Sequence, residues 1–194
     1  MARRVNNQVR LAGQIAYIHF GEKAATVVIN TGLSNDGVHS NYPRAVVFDK
    51  VLDVAHGFNV GDYVLVDATM QDNKAMSNLP PRTIAVNHMV KLNPDSPRYH
   101  TVNRFDFYGR ILKTDRTGDN KAKAVVGIYT GRQMNYITVH FESDNAEELD
   151  RFCSLDRSQF VHLNGQIKTN RVLTEEDKIL FVDKLVVNRY RVLK

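Results

Sequence analysis

Alternating apolar and polar residues predict short strands through most of this chain. In the first half, five segments with apolar alternation or β-branched clusters indicate strands, at 9–12, 25–29, 45–48, 63–66 and 83–90. Between the third and fourth of these, residues 50–56 place apolar side chains at helical spacing just before Gly57, a plausible helix stop. The predicted order is therefore three strands, one helix and two strands.

The second half repeats this order. Strands are predicted near 104–112, 122–130, 136–142, 159–166 and 179–188, and a helix over 146–152 with Ser143 or Asp144 as its N-cap. Gly13 and Gly109 occupy matching positions in the two halves, 96 residues apart. A repeat of that length is a whole domain, so we interpret the chain as a tandem duplication of one small fold.

The element order gives the fold class. Five short strands with a helix between the third and fourth are typical of the OB-fold, a partly open Greek-key barrel. We predict an all-β protein with one short helix per domain, built as two tandem five-stranded OB barrels. The first is expected at 1–93 and the second at 99–194, with the proline-containing linker 94–98 between them.

Composition narrows the class of protein. Of 194 residues, 43% are hydrophobic and 24% charged, as in an ordinary globular protein, and no apolar leader follows the basic start, so a cytoplasmic location is expected. The single cysteine, Cys153, is expected in the core, and the seven scattered histidines offer no pair at ligand spacing, so no metal or other cofactor is expected. The net charge of +5 gently favours an anionic partner.

Catalytic motifs are not evident. Residues 21–26 do not have Walker spacing, and the sequence shows neither a serine, histidine and acid arrangement nor a carboxylate cluster for two metals. We therefore expect a protein that is not an enzyme.

Residues 4–92 resemble the single-stranded DNA-binding protein family, SSB. Residues 5–15 are similar to that family's opening strand, and residues 42–50 are similar to its third strand. The resemblance implies that Tyr42 and Phe48 stack on bases and that Arg44 contacts phosphate. Strand alternation agrees, because it places these three side chains on one face and turns Ala45 and Val47 inward.

The third strand of the second half is a weaker match. Strict alignment on Phe141 would put Asn135 where the stacking residue belongs, whereas alternation turns Ile137, Val139 and Phe141 inward and Tyr136, Thr138 and His140 outward. We follow the alternation and predict Tyr136, with Tyr108, as stacking residues. A register error of one residue would reverse this assignment.

Other predicted contact residues are basic or aromatic side chains on strands, on the chain start and on three loops. The loops are the basic first turn of the second half, 113–123, and the hairpins 70–82 and 168–178, which in such barrels grip a polymer. The complete additional set comprises Arg3, Arg4, Arg10, Tyr17, Lys74, Arg82, Arg110, Arg116, Lys121, Lys123, Arg132, His140, Lys168 and Arg171.

These features favour a non-catalytic, largely sequence-independent single-stranded DNA-binding protein that coats DNA in replication, recombination or repair. Two barrels per chain predict a homodimer with four barrels, the number that SSB family members commonly assemble. The sequence departs from that family in having no tryptophan and no glycine-rich tail with an acidic tip, so recruitment of partners through such a tail is not expected. The alternatives are an accessory protein that uses its barrels for protein contacts, and an RNA-binding module.

Overall fold

The first half of the chain folds as five strands and one helix in the predicted order. The computed structural model describes residues 7–32, 40–72, 82–93, 95, 101–130, 133–173 and 179–193, without the side chains of 171–181. The predicted linker lies outside the described residues except for Asp95. The elements of the first half are β1 (Asn7–Phe20), β2 (Ala24–Asn30), β3 (Arg44–Phe48), α1 (Asp49–Ala55), β4 (Tyr63–Asp72) and β5 (Arg82–Lys91).

The second half has the same succession of elements. They are β6 (Val102–Gly118), β7 (Lys121–Thr130), β8 (Gln133–Glu142), α2 (Ala146–Cys153), β9 (Phe160–Leu173) and β10 (Ile179–Leu193). Most strands extend beyond their predicted bounds, because hydrogen-bonded pairing continues past the residues that bury their side chains.

Each half closes into its own barrel. In the first, β1 pairs with both β2 and β4, and β3 runs parallel to β5, which closes the order β1-β2-β3-β5-β4. In the second, β6 pairs with β7 and β9, and β8 runs parallel to β10. This is the OB-fold topology, so the predicted fold class is confirmed.

Alternating side chains fill each barrel, and α2 covers one end of the second. Phe105 and Phe107 on β6 are fully buried, and Phe152 on α2 stacks on Phe141 of β8 with ring centroids 4.6 Å apart. Cys153, at the end of α2, is partly buried against this core. Burial of apolar rings stabilises each barrel at about 1.5–3 kcal/mol for every fully buried large side chain.

The repeated glycines mark close crossings of backbone. A Cβ atom on Gly13 would lie 2.0 Å from the carbonyl oxygen of Asn30, and one on Gly109 would lie 2.6 Å from that of Gly127. Both distances are far below van der Waals contact. Glycine at these two positions therefore lets the first strand of each barrel lie in close contact with the backbone of the second, with which it pairs.

The two barrels are joined edge to edge through their first strands. β1 pairs antiparallel with β6. Val9 lies opposite Phe105, the residue that holds the same position as Val9 in the second repeat, 96 residues later. Asn7 lies opposite Phe107, and Leu11 lies opposite Asn103. Asn103 is the repeat equivalent of Asn7 and Phe107 that of Leu11, so the second pair is the first with the two barrels exchanged. The barrels are thus related by an approximate two-fold axis through the Val9 and Phe105 pair.

Two details of the prediction were wrong. The expected loop at 113–123 is a β-hairpin, in which β6 continues to Gly118 and β7 begins at Lys121 after the two-residue turn Asp119 and Asn120, a common hairpin turn length. Its pairing has register shifts between Ile111 and Lys113 and between Arg116 and Gly118. The N-cap of α2 is Asn145, whose side chain accepts hydrogen bonds from the backbone N–H groups of Glu147 and Glu148.

Among the described residues, neither helix is long and apolar enough to cross a membrane.

Candidate nucleic-acid interface

A tyrosine lies near the start of the third strand of each barrel: Tyr42 just before β3, and Tyr136 within β8. On β3, Ala45 pairs with Ile84 of β5. The matching pairing of β8 with β10 gives Val139 the position in the second barrel that Ala45 has in the first, so Tyr136 corresponds to Tyr42. The two tyrosines are 37% and 44% exposed.

Burial along β8 confirms the predicted alternation. Ile137, Val139 and Phe141 are buried, while Thr138 and His140 are only partly buried. Asn135 is itself buried, so the strict sequence alignment that placed it at the stacking position is wrong.

Tyr42 lies at the edge of a cavity in the first barrel. This cavity, which we call the first groove, has a volume of about 450 Å³. Its described lining consists of Tyr17 from β1, Thr26 and Val28 from β2, Tyr42 and Arg44 at β3, and Asp183 from the second barrel. The rings of Tyr17 and Tyr42 and the cation of Arg44 thus converge on one space, whereas Phe48, the N-cap residue of α1, is half-buried and does not line it.

Asp183 reaches the first groove because the β9–β10 hairpin extends to the other barrel. The backbone N–H of Arg44 donates to Asp183 Oδ2 at 3.1 Å, and that of Tyr42 donates to Thr169 Oγ1 at 3.1 Å. Thr169 N–H in turn donates to Asn41 Oδ1 at 3.2 Å, and Thr169 Oγ1 to Asp183 Oδ1 at 2.9 Å. These bonds hold the start of β3 against the second barrel.

The β4–β5 hairpin of the first barrel makes the reciprocal contact. Asp72 N–H donates to Asn135 Oδ1 at 3.1 Å, just as Thr169 N–H donates to Asn41. Arg82 Nη1 donates to the carbonyl oxygen of Thr138 at 2.8 Å. The start of β3 and the strand β8 are therefore each held by a hairpin of the opposite barrel.

The strand registers locate the equivalent surface on the second barrel, which we call the second groove. Tyr17 on β1 lies opposite Val28 on β2, and Lys113 on β6 lies opposite Val125 on β7. Lys113 therefore occupies in the second barrel the position that Tyr17 has in the first. In the same way Lys123 replaces Thr26, Thr138 replaces Arg44, and Arg82 replaces Asp183. The first groove contains one cation and one carboxylate, whereas the equivalent positions of the second carry three cations. Two of these, Lys113 and Lys123, form ion pairs with Asp115 at 2.8 Å and 3.8 Å.

Further charges lie beside the second groove. Glu142 on β8 forms ion pairs with Lys184 at 2.8 Å and with Lys168 at 3.5 Å, and these lysines lower the pKa of its carboxyl group against the opposing effect of burial. His140, two residues earlier, has its pKa lowered to about 4 by burial and by the charges of Lys184 and Arg82. The imidazole is therefore neutral near pH 7, beside a cluster of cations.

Burial also affects the two residues that cross between barrels. It raises the pKa of Asp183, although the hydrogen bonds from Arg44 and Thr169 oppose that shift. It lowers the pKa of the Arg82 guanidinium, which the charge of Asp72 opposes.

Several predicted contact residues are already engaged by the protein. Arg10 forms an ion pair with Asp67 at 2.7 Å, and Arg116 binds Asp150 at 2.6 Å and the carbonyl oxygen of Asp119. The ring of Tyr108 stacks on His162, with centroids 4.2 Å apart.

The other predicted residues are divided between open strand faces and parts of the chain outside the description. Arg110 and Lys121 are exposed on β6 and β7. Arg3, Arg4, Lys74 and Arg132 lie outside the described residues, as does the side chain of Arg171.

The sequence reading missed the residues that work across the barrel boundary. Asp183, Lys184, Thr169 and Asn41 all lie beside the two grooves. The repeat contained one usable signal: Asn41 and Asn135 precede the two tyrosines at matching places. Among the described residues, no group of three or more histidine, cysteine, aspartate and glutamate side chains could hold a metal ion.

Comparison with known proteins shows similarity in structure. No protein-family model matches the chain, and no curated protein sequence matches it. The wild-type single-stranded DNA binding protein from Thermus aquaticus has a TM-score of 0.65 and 12% identity, covering 97% of this chain and 93% of that one. A deletion variant of the same protein has a TM-score of 0.64 and 14% identity, covering 97% and 94%. The similarity extends over both barrels, and it confirms the resemblance to the SSB family at the level of the fold.

A mitochondrial single-stranded DNA binding protein from S. cerevisiae also matches, with a TM-score of 0.38 and 12% identity, over 47% of this chain and 94% of that one.

Proposed function

We propose that this protein is a non-catalytic single-stranded DNA-binding protein that coats exposed strands during replication, recombination or repair. The observation that carries the proposal is the first groove, where Tyr17, Tyr42 and Arg44 converge on one open cavity. A base presents a flat π-face to an aromatic ring, and a cation beside it pairs with the phosphate backbone. The double-barrel likeness to the Thermus aquaticus single-stranded DNA binding protein supports the same conclusion.

The second groove contributes in a different way. Lys113 and Lys123 replace Tyr17 and Thr26 there, and Arg82 replaces Asp183, so this barrel is suited to phosphate contacts more than to stacking. Because the hairpins bind the barrels to each other, we propose that one strand of DNA passes over both grooves. Each barrel would then cover about 4–16 nucleotides.

A homodimer with four barrels is the assembly that we propose. Two chains would then present two stacking grooves and two cationic grooves to one strand. Sedimentation equilibrium tests this directly, and a mass equal to a single chain at the concentrations used for binding would reject it.

Salt-dependent titration tests the function. Fluorescent oligomers of single-stranded DNA, duplex DNA and RNA of graded length are compared at several salt concentrations. We expect single-stranded DNA to bind tightest, with affinity falling linearly on a logarithmic salt scale. Equal affinity for duplex would contradict the proposal, tighter binding of RNA would indicate the RNA-binding alternative, and no binding at low salt would favour a protein-contact role.

A further inference from the structure

The first groove contains an acceptor that a phosphate-binding surface does not need. Asp183 places a carboxylate in the cavity lined by Tyr17, Tyr42 and Arg44. A carboxylate repels phosphate, so Asp183 itself takes no part in the backbone contact proposed for Arg44. Its oxygens are suited instead to the donor groups on the edge of a base.

Hydrogen bonds within the protein fix the orientation of this carboxylate. Oδ1 accepts from Thr169 Oγ1 at 2.9 Å, and Oδ2 accepts from the backbone N–H of Arg44 at 3.1 Å. An ionised carboxylate has about four acceptor sites, two on each oxygen. These two bonds use one site on each oxygen, which leaves each oxygen with a further acceptor site.

Guanine is the base that presents a parallel pair of N–H groups. Its N1–H and N2–H groups lie side by side and point the same way, so both can donate to one carboxylate. Thymine offers one N–H between two carbonyl oxygens, and adenine and cytosine each place a ring-nitrogen acceptor beside their amino group. A carboxylate repels those neighbouring acceptors, so the other three bases form at most one favourable bond with it.

The remaining geometry of the groove suits a base. Tyr17 and Tyr42 are each more than a third exposed and line the same cavity, whose volume of about 450 Å³ is within the usual range for small-molecule sites. Val28 adds an apolar contact. The rings are thus available to the faces of a base whose edge reaches Asp183.

We propose that the first groove is a guanine-selective base pocket, with Asp183 accepting from N1–H and N2–H and the two tyrosines contacting the base. The proposal rests on the proposed function and adds a preference to binding that is otherwise largely independent of sequence. The second groove lacks this acceptor, because Arg82, a donor, occupies the position of Asp183. The second barrel therefore supplies the residue that gives the first its selectivity.

Competition with short oligomers tests the proposal. The probes are thymidine oligomers of about 8 nucleotides, unmodified or carrying one central dG, dI, dC or dA, a design that avoids guanine quadruplexes. We expect the dG oligomer to bind about tenfold tighter than the unmodified one. The dI oligomer, which keeps N1–H and lacks the N2 amino group, should be intermediate, and dC and dA should differ little from thymidine.

Two variants connect the preference to the carboxylate. Asp183→Asn replaces one acceptor oxygen with a donor and should reduce the dG preference to about twofold or less. Asp106→Asn is the matched control, since Asp106 is also partly buried and hydrogen-bonded, to His162 and Asn164, but does not line the groove. It should keep the full preference.

The outcomes separate this inference from the proposed function. Binding of the thymidine oligomer tests the function, and the ratio of dG to thymidine affinity tests the pocket. A ratio near one in the unmodified protein overturns the pocket and leaves the function intact, as does a dI oligomer that binds as tightly as dG. A preference that survives Asp183→Asn also overturns it, and if Asp183→Asn does not fold, the dG and dI comparison decides alone.

Discussion

The guanidinium of Arg82, on the first barrel, donates a hydrogen bond of 2.8 Å to the carbonyl oxygen of Thr138, on the second. On the other side of the approximate two-fold axis, the carboxylate of Asp183 accepts from the backbone N–H of Arg44 at 3.1 Å. Equivalent positions on the two hairpins thus carry opposite charges and bind opposite kinds of backbone group. The barrels are held together by this reciprocal exchange as well as by the pairing of β1 with β6.

Arg82→Ala should weaken the contact between the two barrels and lower the stability of the protein. The substitution leaves the Thr138 carbonyl without this donor in a partly buried site, and we expect a loss of about 1–3 kcal/mol in the free energy of unfolding. Urea denaturation followed by circular dichroism measures it. Arg110→Ala, which removes an exposed arginine on β6, is the control and should change stability by about 0.5 kcal/mol or less. Equal effects of the two substitutions would contradict a structural role for Arg82.

Gly109→Ala should be strongly destabilising. The new Cβ would lie 2.6 Å from the Gly127 carbonyl oxygen, and a backbone atom cannot move aside without disturbing the pairing of β6 with β7. We expect a cost of about 1–3 kcal/mol or more in thermal or urea unfolding. Gly118→Ala on the same strand is the matched control, because its Cβ would come no nearer than 3.9 Å to Lys121. If both variants unfold at the same point, close packing at Gly109 is not the reason for its glycine.

The sequence was sufficient for features that depend on local periodicity. Burial of Ile137, Val139 and Phe141 follows from alternation along one strand, and the barrel topology follows from the order of elements. The cap of α2 was misplaced because three successive residues, Ser143, Asp144 and Asn145, are all good N-caps, and only the backbone geometry distinguishes them.

Contacts between the barrels could not be predicted in this way. Asp183 is 139 residues from Arg44, and Thr169 is 128 residues from Asn41. Their meeting depends on how far a hairpin extends beyond its own barrel and on the pairing of β1 with β6, neither of which has a sequence period. The composition of the first groove therefore emerges only from the assembled chain.

Tyr42→Ala should weaken binding of single-stranded DNA more than Tyr136→Ala. Tyr42 shares its groove with Tyr17, whereas the second groove has Lys113 in place of Tyr17, so stacking should contribute more in the first barrel. We expect Tyr42→Ala to cost about 1–3 kcal/mol of binding free energy, with little change in the salt dependence. Fluorescence anisotropy at several salt concentrations measures both quantities. Phe160→Ala, an exposed aromatic outside the first groove, serves as control, and an equal loss there would move the stacking site elsewhere.

The charges around His140 make the stability of the second barrel depend on pH. Lys184 on β10, Arg82 on β5 and Lys123 on β7 disfavour the imidazolium, Glu142 on β8 favours it, and burial with these charges lowers its pKa from 6.5 to about 4. In the unfolded chain the same histidine has its ordinary pKa. Between these two values the unfolded state binds more protons than the folded state, so acid favours unfolding.

His140→Val should remove this contribution. The equivalent residue of the first barrel is Val46, which shows that valine fits this place on the third strand. The unmodified protein should lose stability from His140 as the pH falls from about 6.5 to 4, whereas the variant should lose less over the same interval. Urea unfolding of both proteins at pH 7.5, 5.5 and 4.5 gives the difference, in which the titration of groups common to both cancels. Parallel curves for the two proteins would show that His140 titrates with the same pKa in the folded and unfolded chain.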